Sequence, residues 1–335
     1  LPLLNKNYWE WSSSALELSK QPIRKKLAKN WHQSLTAHIG TIEDDESSAR
    51  EMAAHFTQYL KACKADENAL SSLPPGRFLM PGDLEGSPAL TFAPLSEDYK
   101  DTELSAMMER RYESYKSIVV KPFFREHFAR LDRQIVLVDA LQAMNAGTEA
   151  IQDLEHALAD ILQCFRPGQN SWASAILGAR VERILFAATK ADQLHHENHD
   201  RMEAFLNRLL KNAIERASYK GADIDVAALS VVRATREGTI NEGSEELPVL
   251  IGIPIKGEAI DANPFNGDEE AAVFPGDLPQ NPEALFDETK SHEVALNFVR
   301  FKPPKIERTE DGLKLSMPHI RLDRSLEFLF GDLLD

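Results

Sequence analysis

The sequence predicts an α/β protein with a mostly parallel, doubly wound sheet, preceded by a largely helical region. Two observations carry this prediction. Between residues 132 and 235, short apolar runs alternate three times with amphipathic helical segments, the pattern of parallel strands covered on both faces. Over most of residues 1 to 125, apolar side chains instead recur at three- and four-residue spacing.

Residues 1 to about 70 read as helical. Tyr8, Trp9 and Trp11 lead into Ala15–Leu18, Pro22 interrupts, and Ile23, Leu27, Trp31, Leu35 and Ile39 follow at helical spacing. After the acidic stretch Glu43–Glu46, one face of another helix is marked by Met52, Phe56, Tyr59 and Leu60. Turn formers cluster at Pro74-Pro75-Gly76, Pro81-Gly82-Asp83 and Gly86-Ser87-Pro88, bracketing brief extended runs at Arg77–Met80 and Ala89–Phe92. A long helical pattern spans Leu104 to Phe128, with a break expected near Pro122.

The character changes at Asp132. Gln134–Val138 is a continuous apolar run ending in Asp139, expected as a strand buried on both faces. A helix follows (Ala150, Leu154, Leu158, Ile161, Leu162), then a second run, Ile184–Ala188, and a helix over Met202–Ala217. A third strand, Val226–Val232, leads to Ala234-Thr235. Residues 241 to about 318 hold many turn formers and short extended pieces such as Val249–Ile255 and Val294–Arg300, which predict hairpins. A last helix, Leu322–Leu334, is expected to return to the sheet.

Composition sets the bounds. At 335 residues, 43% hydrophobic and 27% charged, the chain has the profile of a globular protein large enough for two domains. A net charge of −15 argues against nonspecific binding to nucleic acid or anionic membrane through the whole surface. Cys63 and Cys164 lack any spacing for zinc or redox chemistry. No apolar run approaches the ~20 residues of a membrane-spanning helix. The chain starts at Leu1-Pro2-Leu3-Leu4 without an initiator methionine and reads as a piece of a longer protein.

The strongest motif is Ile184-Leu185-Phe186-Ala187-Ala188-Thr189-Lys190-Ala191-Asp192. It places a [NT]KxD sequence at the C-terminal end of a predicted parallel strand, where open α/β sheets bind ligands. A carboxylate at Asp192 can accept both N1–H and N2–H of guanine, and hydrogen bonds to charged groups contribute on the order of 1.5–3 kcal/mol each. Adenine offers no matching donor pair. The Lys190 stem can cover the base plane. Two flanking features agree in order: the preceding strand ends at Asp139, and the following one reaches Val232-Arg233-Ala234-Thr235, where the Ala234 N–H can donate to guanine O6.

Other patterns favour structural roles. Asp83-Leu84-Glu85-Gly86 imitates the DxxG element that senses a γ-phosphate through magnesium, but its proline-rich setting makes a turn more natural. His195 and His199, four apart, could hold a metal on one helical face, yet Glu197, Asn198 and Asp200 suit a solvated helix start. Lys121–Phe128, aromatic and basic, reads as core packing ahead of the strand. No G-x-x-x-x-G-K-[ST] phosphate loop occurs in the chain, and no catalytic or metal-ligating set is assigned.

Four idiosyncratic stretches, Pro75–Asp83, Phe128–Asp139, Leu185–Asp192 and Pro318–Asp323, resemble the YcjX-like family of stress-associated bacterial P-loop GTP-binding proteins. The resemblance covers essentially the whole chain. It implies a Ras-like P-loop NTPase G domain whose phosphate loop and D-Y-P-G magnesium motif lie upstream of Leu1, which makes Asp83–Gly86 a decoy. The expected division is a helical insertion domain with a short extended Pro/Gly-rich segment (1–125), the C-terminal half of the G domain (126–240), an extended hairpin insertion (241–318) and a terminal helix on the G domain (319–335).

The resemblance carries Thr189, Lys190 and Asp192 over as the base-specificity motif, with Ala234 and Thr235 similar to the Cys-Ala-Thr element of heterotrimeric G protein α subunits. Arg233 stands in place of the Cys. Thr189 stands in place of the commoner Asn, removing a bracing amide between loops. The expectation is a guanine-nucleotide switch binding GTP/GDP and Mg, the metal held mainly by upstream residues, with slow hydrolysis in the longer protein. An inner-membrane stress partner and a cytoplasmic location, or one peripheral to the inner membrane, are implied by family resemblance alone. The alternative is a nucleotide-independent scaffold on a degenerate G-like fold.

Overall fold

The computed structural model describes residues 3–37, 46–65, 67–127, 131–164, 181–217, 222–242, 245–260, 263–287, 296–304, 308–309, 312–313 and 317–334. Ile39, residues 43–45 of the acidic stretch, Phe128, Val294 and the Cys164 side chain lie outside the described residues. The chain forms two compact units: Leu1–Leu131 with Asp153–Arg180 and Ile214–Lys220, and Asp132–Gln152 with Val181–Ala213 and Gly221–Asp335.

The first unit is helical where it is described. It contains α1 (Tyr8–Leu18), α2 (Pro22–Leu27), α3 (Lys29–Ala37), α4 (Glu46–Lys64), α5 (Glu103–Tyr115) and α6 (Lys121–His127). A capping box starts α1: the Asn7 side chain accepts from Glu10 N at 2.9 Å, and Glu10 Oε2 accepts from Asn7 N at 2.8 Å. Pro22 opens α2 at its first position, where a missing N–H costs nothing. The expected break at Pro122 does not occur. A π-turn, Lys116–Val120, joins α5 to α6 directly ahead of that proline.

Aromatic packing dominates this core. Trp11 stacks on Tyr112 with centroids 5.1 Å apart, and Trp31 stacks on Tyr59, also at 5.1 Å. The segment Phe92–Leu95 lies against α1 without becoming a strand. Tyr8 Oη donates to Ala93 O, while Ser12 Oγ donates to Leu95 O and accepts from Leu95 N. The runs Arg77–Met80 and Ala89–Phe92, expected as extended, instead contain the 3-10 turns Gly76–Phe78 and Pro88–Leu90. Asp83 sits exposed in a third such turn, Gly82–Leu84, as suits a proline-flanked turn.

At the base of this unit, Arg24 and Asp153 form an ion pair with side chains 1% and 0% exposed. Asp153 Oδ2 also accepts from Ser71 N and Ser72 N at 2.6 and 2.9 Å. Arg24 donates further to Tyr59 Oη and Ser72 O. Burial of two charges is tolerated because nearly every remaining lone pair and proton has a partner.

The second unit is built on three parallel strands in the order β1 (Arg133–Val138), β2 (Arg183–Thr189) and β3 (Asp223–Leu229). Their register, Val138 opposite Ala188 opposite Ala228, brings the strand ends level, so all three following loops leave from one edge. Helices α7 (Ala140–Ala146) and α8 (Thr148–Cys164) follow β1, and α9 (His199–Ala217) follows β2. The third strand begins three residues earlier than the apolar pattern suggested and ends at Leu229. The reason is that Ser230 leaves the parallel ladder to bridge Ile320.

The terminal helix α10 (Leu322–Leu334) lies on the sheet, Leu329 packing with Leu185 and Ala227. Arg133 and Arg183 reach its last turns, donating to Leu329 O and Phe328 O. The expectation that β1 is buried on both faces fails. Ile135 and Leu137, two apart and so on one face, are 40% and 63% exposed, and β1 is also the edge strand of the described sheet.

After β3 come antiparallel strands. Here β4 (Arg236–Glu242) pairs β5 (Glu245–Gly252), and β8 (Ala271–Val273) adds to β5. Two-residue pairs β6 (Ala259–Ile260) with β7 (Asn263–Pro264), and β9 (Arg308–Thr309) with β10 (Gly312–Leu313), complete the described strands. Leu250, Val273, Val299 and Phe301 form a small core against which Ala234 packs. Residues 296–300 are not a strand, although Ile255 N and Lys302 N bond Arg300 O and Ile253 O across that segment.

Candidate functional site

The level strand ends concentrate chemistry at one edge. Thr189 closes β2, and its hydroxyl donates to Val138 O at 3.2 Å, tying the ends of β1 and β2 together. Lys190 follows in the left-handed region, with φ of 65°, which turns the chain sharply before the 3-10 turn Ala191–Gln193. Its ammonium donates to Asp139 Oδ2 at 2.6 Å, and Asp139 in turn caps α7 through Gln142 N.

Asp192 is 9% exposed and faces the loop after β3. The Ala234 N–H donates to Asp192 Oδ2 at 3.1 Å, and the Thr235 hydroxyl donates to Asp192 O at 2.6 Å. The structure therefore joins Asp192, Ala234 and Thr235 directly, with Thr189 and Lys190 immediately before them. A carboxylate acceptor and a backbone N–H donor stand side by side at the C-terminal edge of a parallel sheet.

Supports outside the motif hold this loop. Arg233 N donates to Pro318 O at 2.7 Å, and Ser230 and Ile320 exchange both backbone bonds. The Pro318–Asp323 stretch singled out in the sequence is thus the strap beneath the loop after β3. Arg233, in the position expected of a Cys, turns to Glu237 at 3.0 Å. His199 Nε2 lies 2.9 Å from Ala191 O, so that nitrogen carries the proton, and burial holds the imidazole pKa below its ordinary value.

The histidines depart from the sequence reading. His195 and His199 are 8% and 5% exposed rather than a solvated helix start, because the loop folds under β4 and α9 begins only at His199. His196 is the exposed one, its Nδ1 2.7 Å from Glu237 Oε2. Glu237 accepts from His196 N as well. Burial works against the Glu237 charge, but the His196 hydrogen bond with the charges of Arg233 and the two histidines outweighs it and lowers the carboxyl pKa. Neither Glu237 nor the Lys190–Asp139 pair had a periodic signal, since both depend on contacts between distant loops. No helix among the described residues is long and apolar enough to cross a membrane.

The chain belongs to the YcjX-like family, DUF463, whose model matches residues 1–334. It is similar to a protein named "Ras-like GTPase YcjX" from Escherichia coli (strain K12), with 33% identity across all of this chain and 70% of that one. A protein of the same name from Shewanella oneidensis is 31% identical, again over the whole chain and 68% of the relative.

Proposed function

We propose that the second unit carries the base-recognition half of a guanine-nucleotide-binding switch on a Ras-like G domain. The observation that carries this reading is the Asp192–Ala234 pair. Guanine presents donors at N1 and N2 beside an acceptor at O6, the complement of a carboxylate next to a backbone N–H. On binding, the Ala234 N–H would exchange Asp192 for O6, and Asp192 would accept from N1–H and N2–H. Thr189 and Lys190 fix the turn that aims Asp192, and Thr235 fixes the peptide behind it.

The names of the two relatives support the GTPase reading. Phosphates and Mg are assigned to no residue of this chain, and slow Mg-dependent hydrolysis belongs to the longer protein in this proposal. The helical residues 1–125 are then an insertion within the G domain. The link to stress responses and to an inner-membrane partner rests on the family resemblance alone.

The test is Asp192→Asn in the full-length protein, with guanine and xanthine nucleotides titrated in parallel. An amide prefers the xanthine edge, so guanine affinity should fall about 10- to 100-fold, as expected for the loss of one charged hydrogen bond, while xanthine affinity rises. Unchanged guanine preference would remove Asp192 as the specificity residue. A full-length protein that binds no nucleotide would favour the scaffold reading.

A further inference from the structure

We propose that His195, His196 and Glu197 bind a divalent transition-metal ion of the zinc type, with Glu237 as the residue that orients His196. One ring nitrogen from each histidine and one Glu197 oxygen lie within 4.8 Å of one another. His195 is more than nine-tenths buried, yet its Nδ1 has no hydrogen-bond partner. That atom lies 3.8 Å from Glu197 Oε2, too far for a hydrogen bond. An interior imidazole nitrogen left in this way is unusual, since buried polar atoms nearly always find partners.

The surroundings suit an ion better than they suit a hydrogen bond. Tetrahedral zinc, with bonds of about 2.0–2.1 Å, holds its ligand atoms about 3.3 Å apart. The Nδ1–Oε2 gap of 3.8 Å is close to that spacing. The Glu197 side chain, 63% exposed, has freedom to close in.

Glu237 is already committed. Its Oε1 accepts from Arg233 and from His196 N, and its Oε2 lies 2.7 Å from His196 Nδ1. It therefore fixes the ring and leaves the lone pair on Nε2, the carboxylate–histidine–metal relation. Two imidazoles and one carboxylate select zinc, cobalt or nickel over magnesium, which prefers an all-oxygen shell. Three protein ligands leave a position for solvent.

The site adjoins the base loop, because Glu237 also holds Arg233, one residue before Ala234. An ion here would clamp the His195–Glu197 segment against β4 and stiffen that loop.

The test uses full-length protein stripped of metal with a chelator, then titrated with Co²⁺ followed by visible absorption, and with Zn²⁺ followed by calorimetry. One ion per chain should bind, Co²⁺ giving the intense bands of tetrahedral coordination, and Zn²⁺ should raise the thermal midpoint. His196→Gln and Glu197→Gln alter exposed side chains, so they should fold normally yet bind at least about 10-fold more weakly. Glu237→Gln should weaken binding about 10- to 100-fold. The proposal is overturned if no stoichiometric binding occurs, if the exposed variants bind like the parent, or if Mg²⁺ competes on equal terms.

Discussion

The Ala234 amide nitrogen lies 3.1 Å from Asp192 Oδ2, so the carboxylate proposed to read the base also holds the neighbouring loop. Asp192→Ala removes both functions, whereas Asp192→Asn keeps an oxygen for the amide. Leaving a partly buried N–H unpaired costs about 1–3 kcal/mol. Urea unfolding should therefore show Asp192→Ala destabilised by about that amount and Asp192→Asn nearly unchanged.

Lys190 separates backbone from side-chain roles. Its φ of 65° suits glycine, and relief of that conformation contributes about 1 kcal/mol. Its ion pair with Asp139, the side chains 40% and 34% exposed, contributes at most about 1 kcal/mol. Lys190→Gly should leave the melting temperature within a few degrees of the parent while weakening guanine-nucleotide binding in the full-length protein.

Gly252 supports the base loop from behind. A Cβ there would meet Phe301 Cδ1 at 2.9 Å and Ala234 O at 3.2 Å. Gly252→Ala should cost about 1–3 kcal/mol by overpacking. Because the blocked atom belongs to Ala234, guanine-nucleotide affinity should fall along with stability, measured by titration at a temperature where the variant is folded.

The buried pair in the first unit predicts an asymmetry. Asp153→Ala strands Arg24 and the Ser72 amide in the interior, also frees the Ser71 amide, and should cost about 3–5 kcal/mol. Replacing Arg24 and Asp153 together with Met and Leu should cost less than the sum of the single changes in a double-mutant cycle.

His32 sets an acid limit on that unit. Burial, and then the charge of Lys20, lower its pKa, and its Nε2 lies 2.8 Å from Ser19 Oγ. The unfolded chain thus binds a proton that the folded chain resists. Stability from this group is complete above the ordinary pKa of about 6.5 and is lost as pH falls from there toward the lowered value. Thermal melts should show a drop below about pH 6.5 that His32→Gln flattens.

Much of the candidate site was legible because it is local. A strand end, a left-handed turn and Asp192 follow within four residues, and Ala234-Thr235 ends the next strand loop. What escaped depends on distance or competition. Arg24 and Asp153 are 129 residues apart, and neither has a neighbour that marks it. Val231 and Val232 look like strand residues, but Ile320 captures Ser230 before them and Val231 ends 54% exposed. The histidines misled because their polar neighbours suggest solvent, whereas Glu237 and the loop path bury His195.

The uncovered side of β1 has a colloidal consequence. Ile135 and Leu137 form an exposed apolar face on β1, the strand whose outer backbone edge is unpaired among the described residues, and both favour contact between molecules. Mutual repulsion from a net charge of −15 opposes that contact, and its reach is about 30 Å at 0.01 M salt but about 8 Å at 0.15 M. For this 335-residue chain handled alone, added salt is therefore expected to promote association, read as light scattering that rises as the buffer goes from 0.01 to about 0.15 M salt.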